Sequence, residues 1–530
     1  MQNSSGSVRF CEQNMNVELC GEKDLHALAC RAGVDISHPC GGKGICGKCR
    51  MAVGGTSQPY TETEMRILTA DERKNNIRLA CQIKPEAGMT VALVDRADES
   101  MQILHGLGCG TEMVVEAAFS HANLGVALDI GTTTLVAYLI DTVRAAVLAV
   151  TSAVNPQTMY GDDVISRISY IVDNPEGLVV LNKKLIHTVN DMIRNLLEKN
   201  GAQPVNLSQI IVSGNTTMEH IFAAVDPQSI GRAPFRPPFI SLNEIKASSV
   251  GLNVVPNAKV SFIPNISGFV GGDITSGIFY SGMVESEKLS LLIDIGTNNE
   301  MALGNSSYLL CCSAAAGPAL EGAKISQGMR ASSGAIDTVA IINEEVDCTI
   351  IGNRPPKGIC GSGLVDAIAL MINEKIIETN GKFASLSQGS LYHRMDRRNK
   401  RFLLTNTTDP IYITQKDIRE IQLAKSAIAT GIEIMLQEAG KDLKEVEKIY
   451  MAGAFGNYIN IHNAQTVGML PMISDKKIHP IGNSSGLGAM KLLCYPQGLK
   501  RCCEISEMAT HIELATHKSF QELFVKNMLF

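Results

Sequence analysis

Four cysteines near the N-terminus have the spacing of metal ligands. Cys40, Cys46 and Cys49 are separated by five and two residues, and Cys81 follows after 31 more. Four thiolates can hold two irons and two bridging sulfides. The glycines between the first three cysteines would allow positive φ angles and bring backbone N–H groups close to the sulfurs. We therefore predict that these four cysteines bind a [2Fe–2S] cluster.

The alternatives are a zinc ribbon or ordinary buried cysteines. Zinc sites favour two close pairs of ligands, whereas here Cys46 and Cys49 form one pair and Cys81 stands alone. The surrounding sequence suits a hairpin of Val8–Phe10 and Val17–Leu19, and a helix over Asp24–Ala32. The region resembles the plant/adrenodoxin-type ferredoxin domain, with the five-residue first gap of its adrenodoxin-like members. That resemblance implies a β-grasp fold.

A second pattern occurs twice. The run Val126–Thr134 is echoed by Leu291–Asn299, and the acids Asp129 and Asp294 lie 165 residues apart. Each copy reads as a buried strand that ends in an acid, followed by a Gly–Thr turn and a second apolar strand. Ordinary turns between core strands are the alternative interpretation.

The repeated turns resemble the two phosphate loops of the acetate kinase/sugar kinase/Hsp70/actin (ASKHA) superfamily, whose related halves clamp ATP. The resemblance implies that Asp129 and Asp294 hold Mg²⁺ or its waters, or orient the attacking water. It implies nucleotide contacts at the two turns, at a late Gly–Ala–Gly turn and at a last Gly-rich turn that could complete the base pocket: Gly131, Thr132, Thr133, Gly296, Thr297, Asn298, Gly453, Ala454, Gly456, Gly486 and Gly488.

A third acid, Asp273, follows two glycines shortly before the second phosphate loop. We take it as a candidate catalytic residue, and the cap of the following helix is the equal alternative. Two long helices are also expected. One has Leu185–Leu197 as its apolar face, and the other begins after Thr414 as N-cap and buries residues from Ile418 to Ile432.

These elements predict an α/β multidomain protein with a duplicated, actin-like second part. The predicted segments are a ferredoxin-type domain at 1–95, a linker at 96–123, a middle domain at 124–206 that carries the first phosphate loop, and a C-terminal ATPase domain at 207–530.

Composition narrows the function classes. The net charge of −6, the absence of Trp and an aromatic content of 5% argue against nucleic-acid binding. No apolar run reaches the 18 residues of a spanning helix, and the polar N-terminus does not resemble a signal peptide. We expect a cytoplasmic protein without membrane partners. Cys494, Cys502 and Cys503 lack a fourth close ligand, and no metal site is expected there.

The whole arrangement resembles the reductive activators of corrinoid-dependent methyltransferases and corrinoid iron–sulfur proteins. The run Ile413–Lys425 looks like a signature of their C-terminal domain. The resemblance implies ATP-dependent transfer of one electron through the cluster to reduce Co(II) of a partner's cobalamin to Co(I). It also implies a homodimer and a low-potential electron donor of the ferredoxin or flavodoxin type.

Two other functions stay open at this point. The chain could be a small-molecule kinase of the same superfamily with a regulatory cluster. It could also be a nucleotide-driven switch that binds partners, which would not need a cluster.

Overall fold

A computed structural model of the chain describes residues 6–34, 36, 44, 47, 49–93, 123–296, 298–322, 324–385, 391–456, 458–495 and 497–530. These residues divide into two compact units, one within 1–99 and 154–185, the other within 100–153 and 186–530. The predicted linker at 96–123 lies outside the described residues except for Asn123. None of the described helices combines the length and apolarity needed to span a bilayer.

The first unit contains a five-stranded sheet in the order β2-β1-β5-β3-β4, in which only β1 and β5 pair in parallel. Its elements are β1 (Ser7–Phe10), β2 (Met15–Glu18), α1 (Leu25–Arg31), β3 (Arg50–Gly54), α2 (Glu62–Ile67), α3 (Ala70–Lys74), β4 (Ile77–Leu79) and β5 (Thr90–Leu93). This is the expected β-grasp. The predicted hairpin and helix are confirmed, and Asp24 caps α1 by accepting a 2.8 Å hydrogen bond from the Ala27 N–H.

The second unit contains two six-stranded sheets with the same internal plan. The first has the order β10-β11-β9-β6-β7-β8 and the second the order β22-β21-β12-β13-β14-β23. In each, an antiparallel hairpin (β6/β7 or β12/β13) lies beside a parallel strand (β9 or β21). The strands of the first sheet are β6 (Leu124–Ile130), β7 (Thr134–Asp141), β8 (Ala146–Val154), β9 (Leu207–Gly214), β10 (Ile245–Lys246) and β11 (Lys259–Phe262). The duplication seen in the sequence is therefore a duplication of the sheet.

The remaining strands belong to the second sheet and to small three-stranded sheets. They are β12 (Ser290–Ile295), β13 (Asn299–Gly304), β14 (Leu309–Ala314), β15 (Ala335–Ile342), β16 (Glu345–Ile350), β17 (Gly358–Ile359), β18 (Met395–Asp396), β19 (Arg401–Leu403), β20 (Tyr412–Thr414), β21 (Lys448–Ala452), β22 (Ile478–Gly482) and β23 (Ala509–His511). The remaining helices are α4 (Val164–Asp173), α5 (Gly177–Lys199), α6 (Thr216–Phe222), α7 (Gly272–Ser281), α8 (Gly361–Asn373), α9 (Gln415–Ala439), α10 (Gly453–Gly456), α11 (Ile461–Val467), α12 (Ser484–Cys494), α13 (Gly498–Met508) and α14 (Phe520–Lys526).

The long helix α9 forms as the sequence predicts. Thr414 is its N-cap and forms a capping box with Asp417, and Gly440 ends the helix in the left-handed conformation. Asp417 also accepts a 2.7 Å hydrogen bond from the Ser326 N–H. This bond attaches the segment at Ser326 to the N-terminus of α9. The apolar face from Ile418 to Ile432 is buried.

Helices α7 and α12 pack closely because each has a glycine at the contact. A Cβ atom on Gly488 would lie 2.2 Å from the Ser276 Oγ and 2.4 Å from the Ser276 carbonyl oxygen, and one on Gly277 would lie 2.8 Å from the Ser484 Oγ. The Ser276 hydroxyl donates a 2.6 Å hydrogen bond to the Ser485 carbonyl. This contact holds the start of α12 against α7.

We predict that Gly488→Ala destabilises the protein by about 3 kcal/mol, because the carbonyl of Ser276 cannot move without shifting α7. The control is Gly440→Ala, whose new methyl group meets nothing within 4 Å and whose φ of +60° should cost about 1 to 2 kcal/mol. Chemical denaturation measures both. A Gly488→Ala variant as stable as the unmodified protein would contradict the packing account.

Candidate functional site

The described half of the predicted cluster site lies where β3 and β4 meet. Cys49 precedes β3 and Cys81 follows β4, and the Ala80 N–H donates a 2.8 Å hydrogen bond to the Cys49 carbonyl. Both cysteines are buried, and their Sγ atoms lie 3.5 Å apart. Two thiolates bound at about 2.3 Å to one tetrahedral ion are about 3.8 Å apart. The pair therefore fits two ligands of one iron, while Cys40 and Cys46 lie outside the described residues.

Two glycines of the ligand loop have conformations that a side chain would strain. Gly44 and Gly47 have φ angles of +66° and +65°. A Cβ atom on Gly47 would lie 2.5 Å from the Ile67 Cγ2 atom. The Arg50 guanidinium donates to the Gly47 carbonyl and forms a 2.7 Å ion pair with Glu72, so its charge is compensated beside the loop.

A buried ion pair holds the strand that leads to Cys81. Two nitrogens of Arg78 each lie 2.9 Å from a carboxylate oxygen of Glu64, and Glu64 also accepts a 3.0 Å hydrogen bond from the Leu79 N–H. The Arg78 guanidinium lies over the Tyr60 ring, 4.4 Å from its centroid. Burial alone would raise the pKa of Glu64, but Arg78 and the backbone N–H groups outweigh it and lower that pKa.

We predict that Glu64→Gln destabilises the first unit by about 3 to 5 kcal/mol, because Arg78 is left buried without a counter-charge. The displaced strand should also lower the iron content per chain. Glu62→Gln is the matched control, since Glu62 lies exposed on the same helix. Denaturation midpoints and iron analysis measure the effect, and equal values for the two variants would contradict it.

The predicted acids of the nucleotide site come together in the second unit. Asp129 and Asp294 lie at the ends of β6 and β12, and Asp273 lies in the first turn of α7. Gly271, not Asp273, is the N-cap of α7. Asp129 accepts hydrogen bonds of 2.8 Å from the Asn483 Nδ2 and 2.7 Å from the Ser485 Oγ. The first turn of α12 thus holds the carboxylate of the first phosphate loop.

A fourth carboxylate joins these three. Glu300 pairs with Asp294 across β12 and β13, and Ser313 pairs with Glu300 on the other side. Directly opposed residues have Cβ atoms about 4.5 to 5.5 Å apart, and like charges at such positions repel. Glu300 is not among the residues predicted from the sequence. The first copy gives no signal for it, because the residue opposite Asp129 is the apolar Val136; only the register of β12 and β13 places Glu300 opposite Asp294.

Burial raises the pKa values of all four carboxylates, and neighbouring carboxylates raise those of Asp273, Asp294 and Glu300 further. Burial, then the charge of Asp129, raises the pKa of Asp294 to about 7. Burial, then Asp294, raises the pKa of Asp273, and burial, then Asp273 and Asp294, raises that of Glu300. Burial raises the pKa of Asp129 despite its two hydrogen bonds.

No ion pair joins any of the four to a Lys or Arg within the described residues. In the same part of the chain, no three His, Cys, Asp or Glu side chains form a group that could hold a metal ion.

The first predicted phosphate turn, residues 131–133, forms hydrogen bonds with the following strand and with two segments distant in sequence. The Gly131 N–H donates a 3.0 Å hydrogen bond to the Thr134 carbonyl, and a Cβ on Gly131 would lie 2.6 Å from that oxygen. The Asn215 Nδ2 donates to the Thr132 Oγ1 at 3.0 Å, and the Thr133 Oγ1 donates to a carboxylate oxygen of Glu321 at 3.4 Å. In the second turn Gly296 and Asn298 are described, and Thr297 lies outside the described residues.

The two late Gly-rich turns differ. Gly453, with a φ of +87°, begins α10, and a Cβ there would lie 2.6 Å from the Asp294 Oδ1, so this turn approaches the carboxylates. The backbone of Ala454 and Gly456 continues α10. By contrast, a Cβ on Gly486 would lie 2.6 Å from the Tyr138 ring. Protein atoms thus fill the space beside Gly486, as Ser276 does beside Gly488.

Three known protein families match successive parts of the chain. The family described as "2Fe-2S iron-sulfur cluster binding domain" matches residues 10–86. "RACo middle region" matches 124–286, and "C-terminal domain of RACo the ASKHA domain" matches 288–530. The "Corrinoid activation enzyme RamQ" of Eubacterium limosum is 38% identical over 417 residues, 77% of this chain and 70% of that protein.

The chain belongs to the family of corrinoid protein activators.

Two further relatives support this. The "[Co(II) methylated amine-specific corrinoid protein] reductase" of Methanosarcina barkeri is 27% identical over 439 residues, 76% of each chain. The solved structure of a "Reductive activator for corrinoid,iron-sulfur protein" has 30% identity and a TM-score of 0.70, and covers 99% of this chain and 98% of that one. The predicted fold class, a [2Fe–2S] domain followed by an ASKHA domain, is confirmed.

We predict a pH effect on the metal-free, nucleotide-free protein. Asp294 keeps its proton to about pH 7 when folded, but in the unfolded chain its pKa is near 3.8. Between these values unfolding releases the proton, so stability falls as pH rises through this window. Thermal scans should show the melting temperature falling by a few degrees more across the window than in Asp294→Asn. Asp475→Asn, which replaces an exposed carboxylate, is the control and should show the same dependence of melting temperature on pH as the unmodified protein. The same dependence in Asp294→Asn would contradict the prediction.

Proposed function

We propose that the protein couples ATP hydrolysis to the one-electron reduction of Co(II) in the cobalamin of a partner corrinoid protein, which yields Co(I). Family membership supports this proposal. The observation that carries it is the presence, on one chain, of two buried cysteines with Sγ atoms 3.5 Å apart and of a duplicated sheet with four buried carboxylates near the equivalent hairpins.

The proposed ligands of the cluster are Cys40, Cys46, Cys49 and Cys81. When bound, such a group supplies a one-electron carrier, with a reduction potential near −400 mV in plant-type ferredoxins. The chain's own residues shape the site. The Glu64–Arg78 pair fixes the approach to Cys81, and Gly44 and Gly47 let the ligand loop bend without steric conflict.

In the second unit we propose that Mg²⁺ and ATP bind at the carboxylates and turns. Asp129 and Asp294 would hold Mg²⁺ or its waters, since Mg²⁺ favours one or two carboxylates together with phosphate oxygens. Asp273 would orient the attacking water and accept its proton, because a raised pKa suits a base that works near neutral pH. The proposed nucleotide contacts remain those predicted: Gly131, Thr132, Thr133, Gly296, Thr297, Asn298, Gly453, Ala454, Gly456, Gly486 and Gly488.

ATP is needed if the partner's Co(II) is harder to reduce than the chain's donor. For one electron, each gap of about 59 mV lowers the equilibrium constant tenfold. A nucleotide can offset this only if it binds one conformation better than another. The hydrogen bond from Thr133 to Glu321 joins the first phosphate turn to the other half of the second unit, so we propose that it changes with nucleotide state.

The finer features predicted from the sequence belong to the same proposal. They are a homodimer, a low-potential donor of the ferredoxin or flavodoxin type, a cytoplasmic location, and the segment limits 1–95, 96–123, 124–206 and 207–530.

The test is anaerobic reduction of a Co(II) corrinoid protein from the same cell, with a chemical reductant, followed by visible absorption of Co(I). We expect Co(I) to form at a useful rate only with Mg²⁺ and ATP. Cys81→Ser should abolish it. Asp294→Asn should slow it about a hundredfold or more through lost electrostatic stabilisation.

Asp475→Asn replaces an exposed carboxylate of the same unit and should leave the rate unchanged. Persistent Co(II) with every corrinoid protein of that cell, while ATP is still hydrolysed, would contradict the proposal. Transfer of phosphate to a small molecule under those conditions would favour a kinase.

A further inference from the structure

The side-chain amide of Gln82 lies against a predicted cluster ligand. Its Nε2 is 3.6 Å from the Cys81 Sγ, within hydrogen-bond range of sulfur, and 3.2 Å from the Cys81 carbonyl oxygen. Gln82 is half-buried and Cys81 is buried. A neutral donor therefore points at a sulfur that is shielded from water.

The ligand loop leaves room for this amide. A Cβ atom on Gly44 would lie 2.7 Å from the Gln82 Nε2 and 3.0 Å from the Thr63 Cγ2. The missing side chain at Gly44 thus serves two purposes, since the residue also has a φ of +66°. Any larger residue at position 44 would displace the amide from the sulfur.

The positive charge of nearby Arg50 does not substitute for the hydrogen bond from Gln82 to Cys81. Arg50 donates to the Gly47 carbonyl, but Glu72 pairs with its guanidinium at 2.7 Å. An N–H group that donates to a thiolate stabilises negative charge on the sulfur. Reduction adds one negative charge to the sulfur-bound group, so such a donor favours the reduced form and raises the reduction potential.

We propose that Gln82 is a positioning residue that raises the reduction potential of the [2Fe–2S] group through its hydrogen bond to Cys81. The inference rests on the cluster assignment in the proposed function and not on the identity of the electron acceptor. It makes Gln82 one determinant of how large a potential gap ATP must offset.

The test is an anaerobic redox titration of the intact protein, followed by electron paramagnetic resonance. In Gln82→Leu we expect the ratio of reduced to oxidised protein at a fixed solution potential to fall about threefold to tenfold. That is a shift of about 28 to 59 mV to lower potential. Gln82→Glu keeps the shape of the side chain but adds a negative charge, and should shift the potential further in the same direction.

The matched control is Gln58→Leu, because Gln58 is also half-buried in this unit but its amide donates to the Lys84 carbonyl. Iron and sulfide analysis shows whether each variant holds its cluster. If Gln82→Leu loses the cluster, the reduction potential of Gln82→Glu is the test of the inference. An unchanged potential in a loaded variant, or an equal shift in Gln58→Leu, would overturn the inference. Absence of a cluster from the unmodified protein would instead overturn the proposed function.

Discussion

A buried carboxylate costs free energy unless a proton, a cation or hydrogen-bond donors compensate its charge. The second unit brings Asp129, Asp273, Asp294 and Glu300 within electrostatic range of one another. Asp129 is partly compensated by Asn483 and Ser485 on α12, which the glycine contact with α7 holds in place. The pKa values of the other three are raised by burial and by neighbouring carboxylates, so their protonated forms are favoured relative to an exposed carboxyl group. In the proposed function, a bound Mg²⁺ would take the place of such protons, and it would need only one or two of these carboxylates together with phosphate oxygens.

In the first unit an ion pair, and not a proton, neutralises the buried carboxylate. Glu64 and Arg78 neutralise each other inside the β-grasp, and their hydrogen bonds reach the Pro59 carbonyl and the N–H of Leu79 in the strand that precedes Cys81. A satisfied ion pair gives a fixed geometry, which a ligand set for a metal group requires. Hydrogen bonds reach the carboxylate cluster of the second unit, but none of its four members forms an ion pair with a Lys or Arg within the described residues, so a bound cation would stabilise them. One chain thus combines a buried charge neutralised by an ion pair in the first unit with buried carboxylates that have no such partner within the described residues of the second.

Features carried by short stretches of sequence were predictable. The strand, acid and Gly–Thr turn repeat around Asp129 and Asp294 became matching hairpins, and Thr414 caps α9 through local hydrogen bonds. Features that depend on distant neighbours were not. Glu300 becomes part of the site only through strand register, and the Glu64–Arg78 pair joins two different elements.

Glycine is ambiguous for the same reason. Gly453 and Gly486 look alike in sequence, yet one approaches Asp294 and the other accommodates Tyr138. Only the tertiary neighbours show which part of the protein each glycine allows to approach.

The most direct test of this account is calorimetry of Mg²⁺ and ATP binding at about pH 7 in buffers with different ionisation enthalpies. If the carboxylates hold protons until the cation arrives, binding must release protons, as it does at other metal sites. We predict net proton release for the unmodified protein and less for Asp294→Asn. Tight binding with no proton release would contradict the claim that the carboxylate cluster is the metal–nucleotide site.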